Sequence, residues 1–129
     1  MAPENEFDCS ADWSLYDVRT ESGLALIVER NWAGGRALDP PRPRRRIVFE
    51  NPASWAFADL SLMNEYFPRD DCPPVLIELE RMGSKTFFSD LTISTEAHGD
   101  QWRHFRVTTW SEIVDVIERS QPLITEVVG

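Results

Sequence analysis

Turn-forming residues interrupt the sequence at intervals of roughly eight to twelve positions, and this spacing limits the possible fold more than any other feature. Between the interruptions lie short runs rich in β-branched and aromatic residues, which favour strands. No βαβ pattern occurs, and this argues against a parallel nucleotide-binding sheet. The sequence predicts a mainly β fold, an antiparallel sheet or sandwich of about six to eight strands with one or two short helices, and an α+β fold is the alternative.

Seven strands are predicted from these runs. The turn signal at residues 21–23 joins the first two strands as a β-hairpin, and residues 55–57 are interpreted as continuing the sheet after a bulge or turn. Residues 31–43 contain Gly34-Gly35 and three prolines, so they are predicted to form a long loop. The predicted strands are 13–20, 24–30, 44–50, 75–80, 86–94, 102–109 and 123–128.

Two segments carry a helical pattern. Residues 59–67 are predicted to form a short helix that Asp59 caps. Residues 110–119 fit a helix through the spacing of their apolar side chains and through a Thr109–Glu112 capping box. The same segment is rich in β-branched residues, which favour a strand, so both structures stay open for it.

The length of 129 residues and the hydrophobic fraction of 42% suit one globular domain. We expect residues 12–129 to form this domain and the polar, acidic residues 1–11 to form a flexible tail. The N-terminus lacks a signal-peptide pattern, no apolar run is long enough for a membrane span, and two cysteines do not make a disulfide framework. These features predict a cytoplasmic protein.

Residue types that support catalysis or metal binding are present, but they lack the spacing that such sites need. Cys9, Cys72, His98 and His104 are not paired at the short intervals typical of zinc ligands. No Gly-x-Ser-x-Gly elbow and no Gly-rich phosphate loop with Lys-Ser/Thr occurs. We therefore predict a non-enzymatic chain with no catalytic residue, no metal and no cofactor.

The charge of the chain is unevenly distributed. Its formal net charge is −9, but residues 36–46 hold five arginines and one aspartate, a net of +4 that leaves −13 for the remainder. The acidic remainder repels nucleic acid and anionic membranes and attracts basic partners. The stretch Arg42–Arg46 is compatible with phosphate contacts, with pairing to the protein's own acids, or with protection of an edge strand.

In size, acidity, β-richness and the strand-turn-strand pattern at residues 102–128, the chain resembles the small bacterial immunity proteins of toxin–immunity systems. The resemblance implies a non-catalytic inhibitor whose acidic surface binds a basic toxin or enzyme. Exposed acids, together with a tryptophan beside the Gly-Gly loop, would contact that partner. The predicted contact residues are Asp70, Asp71, Glu78, Glu80, Glu112, Asp115, Glu118 and Trp32.

Two other functions are compatible with the sequence. A small enzyme or ligand-binding β domain would use His104, a partner carboxylate, and Tyr16 or Tyr66. A phage or accessory protein would instead inhibit a nucleic-acid-binding machine, because the acidic remainder would mimic nucleic acid.

Overall fold

The predicted mainly β fold is confirmed by a computed structural model, which describes residues 7, 9–21, 23–59, 74–79 and 103–127. Within these residues there are ten strands and one three-residue 3₁₀ turn, Ser10–Asp12. No helix in this part of the chain has the length and apolar character needed to cross a membrane. The strands are β1 Trp13–Arg19, β2 Leu24–Arg30, β3 Trp32–Ala33, β4 Arg36–Ala37, β5 Arg44–Phe49, β6 Ser54–Asp59, β7 Leu76–Leu79, β8 Arg103–Thr108, β9 Glu112–Glu118 and β10 Leu123–Glu126.

The first sheet has the antiparallel order β1-β2-β5-β10. The predicted hairpin at its start is confirmed, and Gly23 makes the turn possible for two reasons. Its φ of 87° is one that glycine adopts without strain, and a Cβ at this position would collide with the carbonyl oxygen of Phe49. A bulge between Leu15 and Asp17 interrupts the outer strand of the hairpin.

The second sheet has the antiparallel order β6-β9-β8-β7. Residues 55–57 therefore do not continue the first sheet, as the sequence had suggested, but form an edge of the second. Residues 112–118 form a strand rather than a helix, because β9 occupies the interior of this sheet, where β-branched side chains pack well. The Thr109–Glu112 contact exists, but it closes the tight turn between β8 and β9: the Glu112 N–H donates to Thr109 Oγ1 at 3.2 Å.

The two sheets pack face to face through alternate side chains of their strands. Leu26 and Ile47 of the first sheet are fully buried, as are Val107 and Val116 of the second. The rings of Phe49 and Phe105 meet across the interface with their centroids 5.8 Å apart. Because Phe105, Val107, Val114 and Val116 line this core, their neighbours along β8 and β9 face the opposite side of the second sheet.

Three predictions, on the long loop, the N-terminal tail and the cysteines, need correction. The loop at 31–43 contains a small hairpin, in which β3 pairs with β4 around Gly34 and Gly35. Phe7 packs its ring against Trp13 with the centroids 4.9 Å apart, so the packed part of the chain begins before residue 12. Cys9 is disulfide-bonded, although two cysteines had not suggested a disulfide framework.

Some predictions fall on residues that lie outside the described part of the chain. These are most of the predicted helix at 59–67, the predicted strand at 86–94, and the candidate ligands Cys72 and His98. Asp59, the predicted helix cap, is the last residue of β6.

The sandwich has two unlike long sides, each made of one edge strand from each sheet. On the first of these sides, the N–H of Val75 donates to the carbonyl of Phe7 at 2.8 Å. Phe7 precedes β1 and Val75 precedes β7, so this hydrogen bond brings the β1 and β7 edges together. The inner strands β5 and β9 also face each other: Glu118, at the end of β9, accepts the N–H of Asn51, which follows β5. The remaining edges, β10 and β6, therefore share the other long side. We name the β1–β7 side the closed side and the β6–β10 side the open side.

Candidate protein-binding surface

The predicted contact acids are divided among very different environments. Asp70, Asp71 and Glu80 lie outside the described residues. Glu78 is exposed at the edge strand β7, and both its oxygens accept hydrogen bonds from the guanidinium of Arg103, at 2.6 and 2.8 Å. This paired hydrogen bond lowers the pKa of Glu78, against a smaller opposing effect of burial. Glu112 is half-buried and accepts a hydrogen bond from Thr109.

Asp115 was predicted to be exposed, and this prediction is wrong, because its side chain is completely buried. It lies on β9 directly opposite Arg106 of β8, and its Oδ1 accepts the Arg106 Nε at 2.9 Å. The Nε2 of His104 lies 3.0 Å from the same oxygen. Burial alone would raise the pKa of Asp115, but the hydrogen bonds from His104 and Arg106 together hold it below its usual value.

The expected exposure of Glu118 is also wrong, since only 1% of it reaches solvent. Its Oε1 accepts the backbone N–H of Asn51 at 2.6 Å. Its Oε2 has no hydrogen-bond partner within the described part of the chain. Burial raises the pKa of Glu118, and the nearby charge of Glu50 adds to this effect, although the hydrogen bond from Asn51 opposes it.

The sequence signal that would have identified these two buried acids is the near-continuous apolar run Ile113-Val-Asp-Val-Ile-Glu118. A strand buried on one face alternates apolar and polar residues, whereas a strand buried on both faces is apolar throughout. Acids placed in such a run are buried with it, and all six residues are buried here.

His104 and Asp115 form the histidine–carboxylate pair that the enzyme hypothesis requires, but the surroundings of the pair favour a structural role. The Asp115 carboxylate is shared with Arg106, whose side chain is only 8% exposed and needs a buried counter-charge. The side chain of His104 is itself only 13% exposed. Of the four candidate zinc ligands, Cys9 is held in a disulfide and His104 is hydrogen-bonded to Asp115.

The Arg-rich stretch is neutralised in large part by the protein's own acids, which is one of the alternatives that the sequence left open. Glu29 accepts the Nε of Arg44 at 2.8 Å and lies 3.6 Å from Arg42. Arg45 lies 3.5 Å from Glu126 of β10. The guanidinium of Arg44 also stacks on the ring of Tyr16 at 3.7 Å.

A cleft of about 370 Å³ lies beside these arginines, between Pro40-Pro41 and the outer face of the first sheet. Its size is within the range of small-molecule sites. Its two arginines, Arg42 and Arg44, share Glu29 as their counter-charge, so one of the two positive charges is balanced and a net charge of +1 remains among these three residues.

Exposed apolar side chains are concentrated on the open side. Trp55 and Phe57 of β6 retain 39% and 44% of their surface, and Ile124 of β10 retains 45%. Leu123 is 52% exposed, but it pairs with Val48 and faces the outer side of the first sheet. Trp55 and Phe57 pair with the core residues Val116 and Val114, so they face the inside of the sandwich and remain exposed only because the sandwich ends there. Contiguous apolar surface of this kind marks interaction sites on soluble domains.

Acidic residues border this apolar surface. Glu50 precedes β6 and Asp59 ends it, and both are exposed. Glu112 lies opposite Asp59 across the β6–β9 pair, and Glu126 ends β10 with 70% of its side chain exposed. Of these four acids, sequence reasoning identified only Glu112, because the others become neighbours only through the order of the strands.

Trp32, the predicted aromatic contact, is 46% exposed on the small β3–β4 hairpin and does not belong to the open side. Tyr16 and Trp110 are likewise exposed away from it. No protein-family model, curated protein or solved structure has significant similarity to this chain.

Proposed function

We propose that this chain is a non-catalytic protein-binding module of the immunity or inhibitor type, which neutralises a basic toxin or enzyme. The single observation that supports the proposal is the open side, where the edge strands β6 and β10 expose three large apolar side chains, Trp55, Phe57 and Ile124, within a border of acids. Apolar anchors at the centre of an interface set the dissociation rate, and charges at its rim raise the association rate.

The binding surface that we propose differs from the one expected from the sequence. Asp115 and Glu118 are buried, so we exclude them from the binding surface. Glu50, Asp59, Glu112 and Glu126 take the role of rim acids. A net charge of −9 extends the attraction for a basic partner beyond this rim.

The cytoplasmic location expected from the sequence stays a proposal. The disulfide at Cys9 counts against it, because disulfides persist mainly in oxidising compartments. Thiol alkylation of the protein immediately after lysis of the source cells decides the question: a reactive Cys9 supports the cytoplasm, and a blocked Cys9 contradicts it.

Isolation of the partner from the source organism, followed by titration calorimetry with the purified partner, tests the proposed function. We expect a dissociation constant tighter than about 1 μM, roughly −8 kcal/mol, together with loss of the partner's activity on binding. The variant Phe57→Thr should weaken binding at least about tenfold, as expected for an interface anchor.

The matched control is Trp32→Thr, which removes an equally exposed aromatic ring away from the open side. Equal losses from the two variants would contradict the location of the surface. A partner that binds no tighter than micromolar, or binds without being inhibited, would contradict the inhibitor function.

A further inference from the structure

The edge strand β10 lacks the bulge that interrupts the β1 edge, and it lies on the open side. Like β7, it has four residues and a glutamate that pairs with an arginine, Glu126 with Arg45. All four residues of β10 are exposed, and none is proline or lysine. Natural edges are usually blocked by such features, since an unprotected edge pairs with other chains.

The hydrogen bonds of β10 identify which of its backbone groups are unused by β5. The N–H of Val127 donates to the carbonyl of Arg44, which makes these two residues a hydrogen-bonded antiparallel pair. Because such pairs alternate, Thr125 and Leu123 also direct their backbone groups toward β5. Ile124 and Glu126 therefore direct their N–H and C=O groups away from the sheet, and the exposure of both residues leaves room for a further strand.

The side chains of β10 present two different faces to such a strand. Ile124 and Glu126 face the inside of the sandwich, because they pair with Ile47 and Arg45, and they adjoin the apolar and acidic surface of β6. Thr125 faces outward and lies beside Arg46. A strand that joins β10 would therefore meet Ile124 and the Glu126–Arg45 ion pair on its inner face, and Arg46 on its outer face.

We propose that the partner binds by adding an extended segment to β10, with basic or apolar side chains on the face that points toward the open side. This inference rests on the proposed function and specifies the chemistry of the partner. Charge favours this occupant over a second copy of the chain, because a second copy would bring another −9 to the interface. Two paired four-residue edges would also bury far less than the roughly 1,200 Å² of a stable dimer.

The test uses amide hydrogen exchange of the full chain with a capped eight-residue peptide of alternating Lys and Val, which carries all its positive charge on one face. In the free protein, the Thr125 amide should exchange about tenfold or more slowly than those of Ile124 and Glu126. At a peptide concentration ten times the dissociation constant, exchange at Ile124 and Glu126 should slow about tenfold, because only unbound molecules exchange.

The matched control peptide alternates Glu and Val and should leave both amides unchanged. Protection by both peptides alike, or by neither at about 1 mM, overturns the proposal. Protection that grows with protein concentration in the absence of peptide also overturns it, in favour of self-association.

Two proline variants test the direction of the backbone groups. Ile124→Pro removes an outward N–H, so the protein should fold and lose at least about tenfold in peptide affinity. Ile124→Thr removes the same apolar side chain but keeps the N–H, so it should retain clearly more peptide affinity than Ile124→Pro does. Thr125→Pro removes an inward N–H and should lower the unfolding midpoint much more than Ile124→Pro does. Equal midpoints for the two proline variants would contradict the assigned register.

Different results would contradict strand addition to β10 and the proposed inhibitor function. If the isolated partner binds tightly and Phe57→Thr weakens it, while Ile124→Pro leaves the affinity unchanged, the open side binds without strand addition. If no partner binds, the proposed function itself fails.

Discussion

The closed and open sides of the sandwich are built from the same kinds of strand but differ in how deeply they bury the aromatic residues that face inward. On the closed side, Trp13 is fully buried, its ring meets Phe7, and its carbonyl accepts the N–H of Trp110 at 3.0 Å. On the open side, Trp55 and Phe57 face inward but keep about two-fifths of their surface exposed. The difference indicates that the closed side supplies stability, whereas the open side retains apolar surface for a partner.

Buried carboxylates of β9 follow the same division. Asp115 is hydrogen-bonded to His104 and Arg106 of β8, the neighbour of β9 toward the closed side. Glu118 is bonded to the turn that leads into β6, on the open side, and one of its oxygens has no hydrogen-bond partner within the described residues. The Asp115 carboxylate is therefore compensated by its neighbours on β8, whereas the Glu118 carboxylate is only partly compensated.

The largest expected change in the free energy of unfolding comes from replacing Trp13, and it should exceed the change from replacing Trp55. Trp13→Ala should lower the free energy of unfolding by about 4 kcal/mol, the usual cost of removing a fully buried aromatic side chain. Trp55→Thr should cost about 1.5 kcal/mol, since its ring is only partly buried and threonine suits a strand. Urea denaturation at neutral pH measures both. Similar losses from the two variants would remove the distinction between the sides.

Local features of this fold were accessible from the sequence, and long-range ones were not. The β1–β2 hairpin follows from the Gly23 turn, and the strand predicted at 102–109 is confirmed as β8. Strand order is set by contacts between residues distant in sequence, so the sequence did not place β6 and β10 on one side. For the same reason the sequence did not show that β9 is covered on both faces, so Asp115 and Glu118 were predicted to be exposed.

The next largest effect is expected at Asp115. Asp115→Asn keeps the shape of the side chain but leaves the Arg106 guanidinium buried without its counter-charge. We expect a loss of about 3 kcal/mol at pH 7. Because the folded-state pKa of Asp115 is lowered, its contribution is complete above the ordinary aspartate pKa of 3.8 and is lost as the pH falls through the lowered value.

A paired replacement separates the charge from the packing at this position. Asp115→Leu combined with Arg106→Met removes both charges and should recover most of the lost stability, since a well-packed apolar pair is often as stable as a buried ion pair. Partner affinity should be unchanged in this double variant if the cluster is structural. A loss of binding without a loss of stability would instead favour a direct functional role for His104, Arg106 and Asp115.

The smallest expected change in stability, and the only increase, comes from replacing Glu118. Its raised pKa means that the ionised carboxylate destabilises the fold, so native stability should decline as the pH rises from the ordinary glutamate value of 4.5 through the raised pKa. Glu118→Gln keeps an acceptor for the Asn51 N–H and does not titrate, so it should add about 1 kcal/mol at pH 8 and nothing at pH 4. Denaturation curves at the two pH values measure the difference.

Glu50→Gln is the control for this last prediction, because it removes a nearby negative charge at an exposed position and should give a smaller gain with the same pH dependence. A loss of stability in Glu118→Gln at pH 8 would mean that ionised Glu118 is compensated, and the contrast between Asp115 and Glu118 would then disappear. If the gain is found and partner binding weakens with it, the uncompensated charge serves binding at the open side. If Glu118→Gln is more stable and binds the partner as tightly as the native chain, the buried charge of Glu118 only destabilises the fold and has no role in binding.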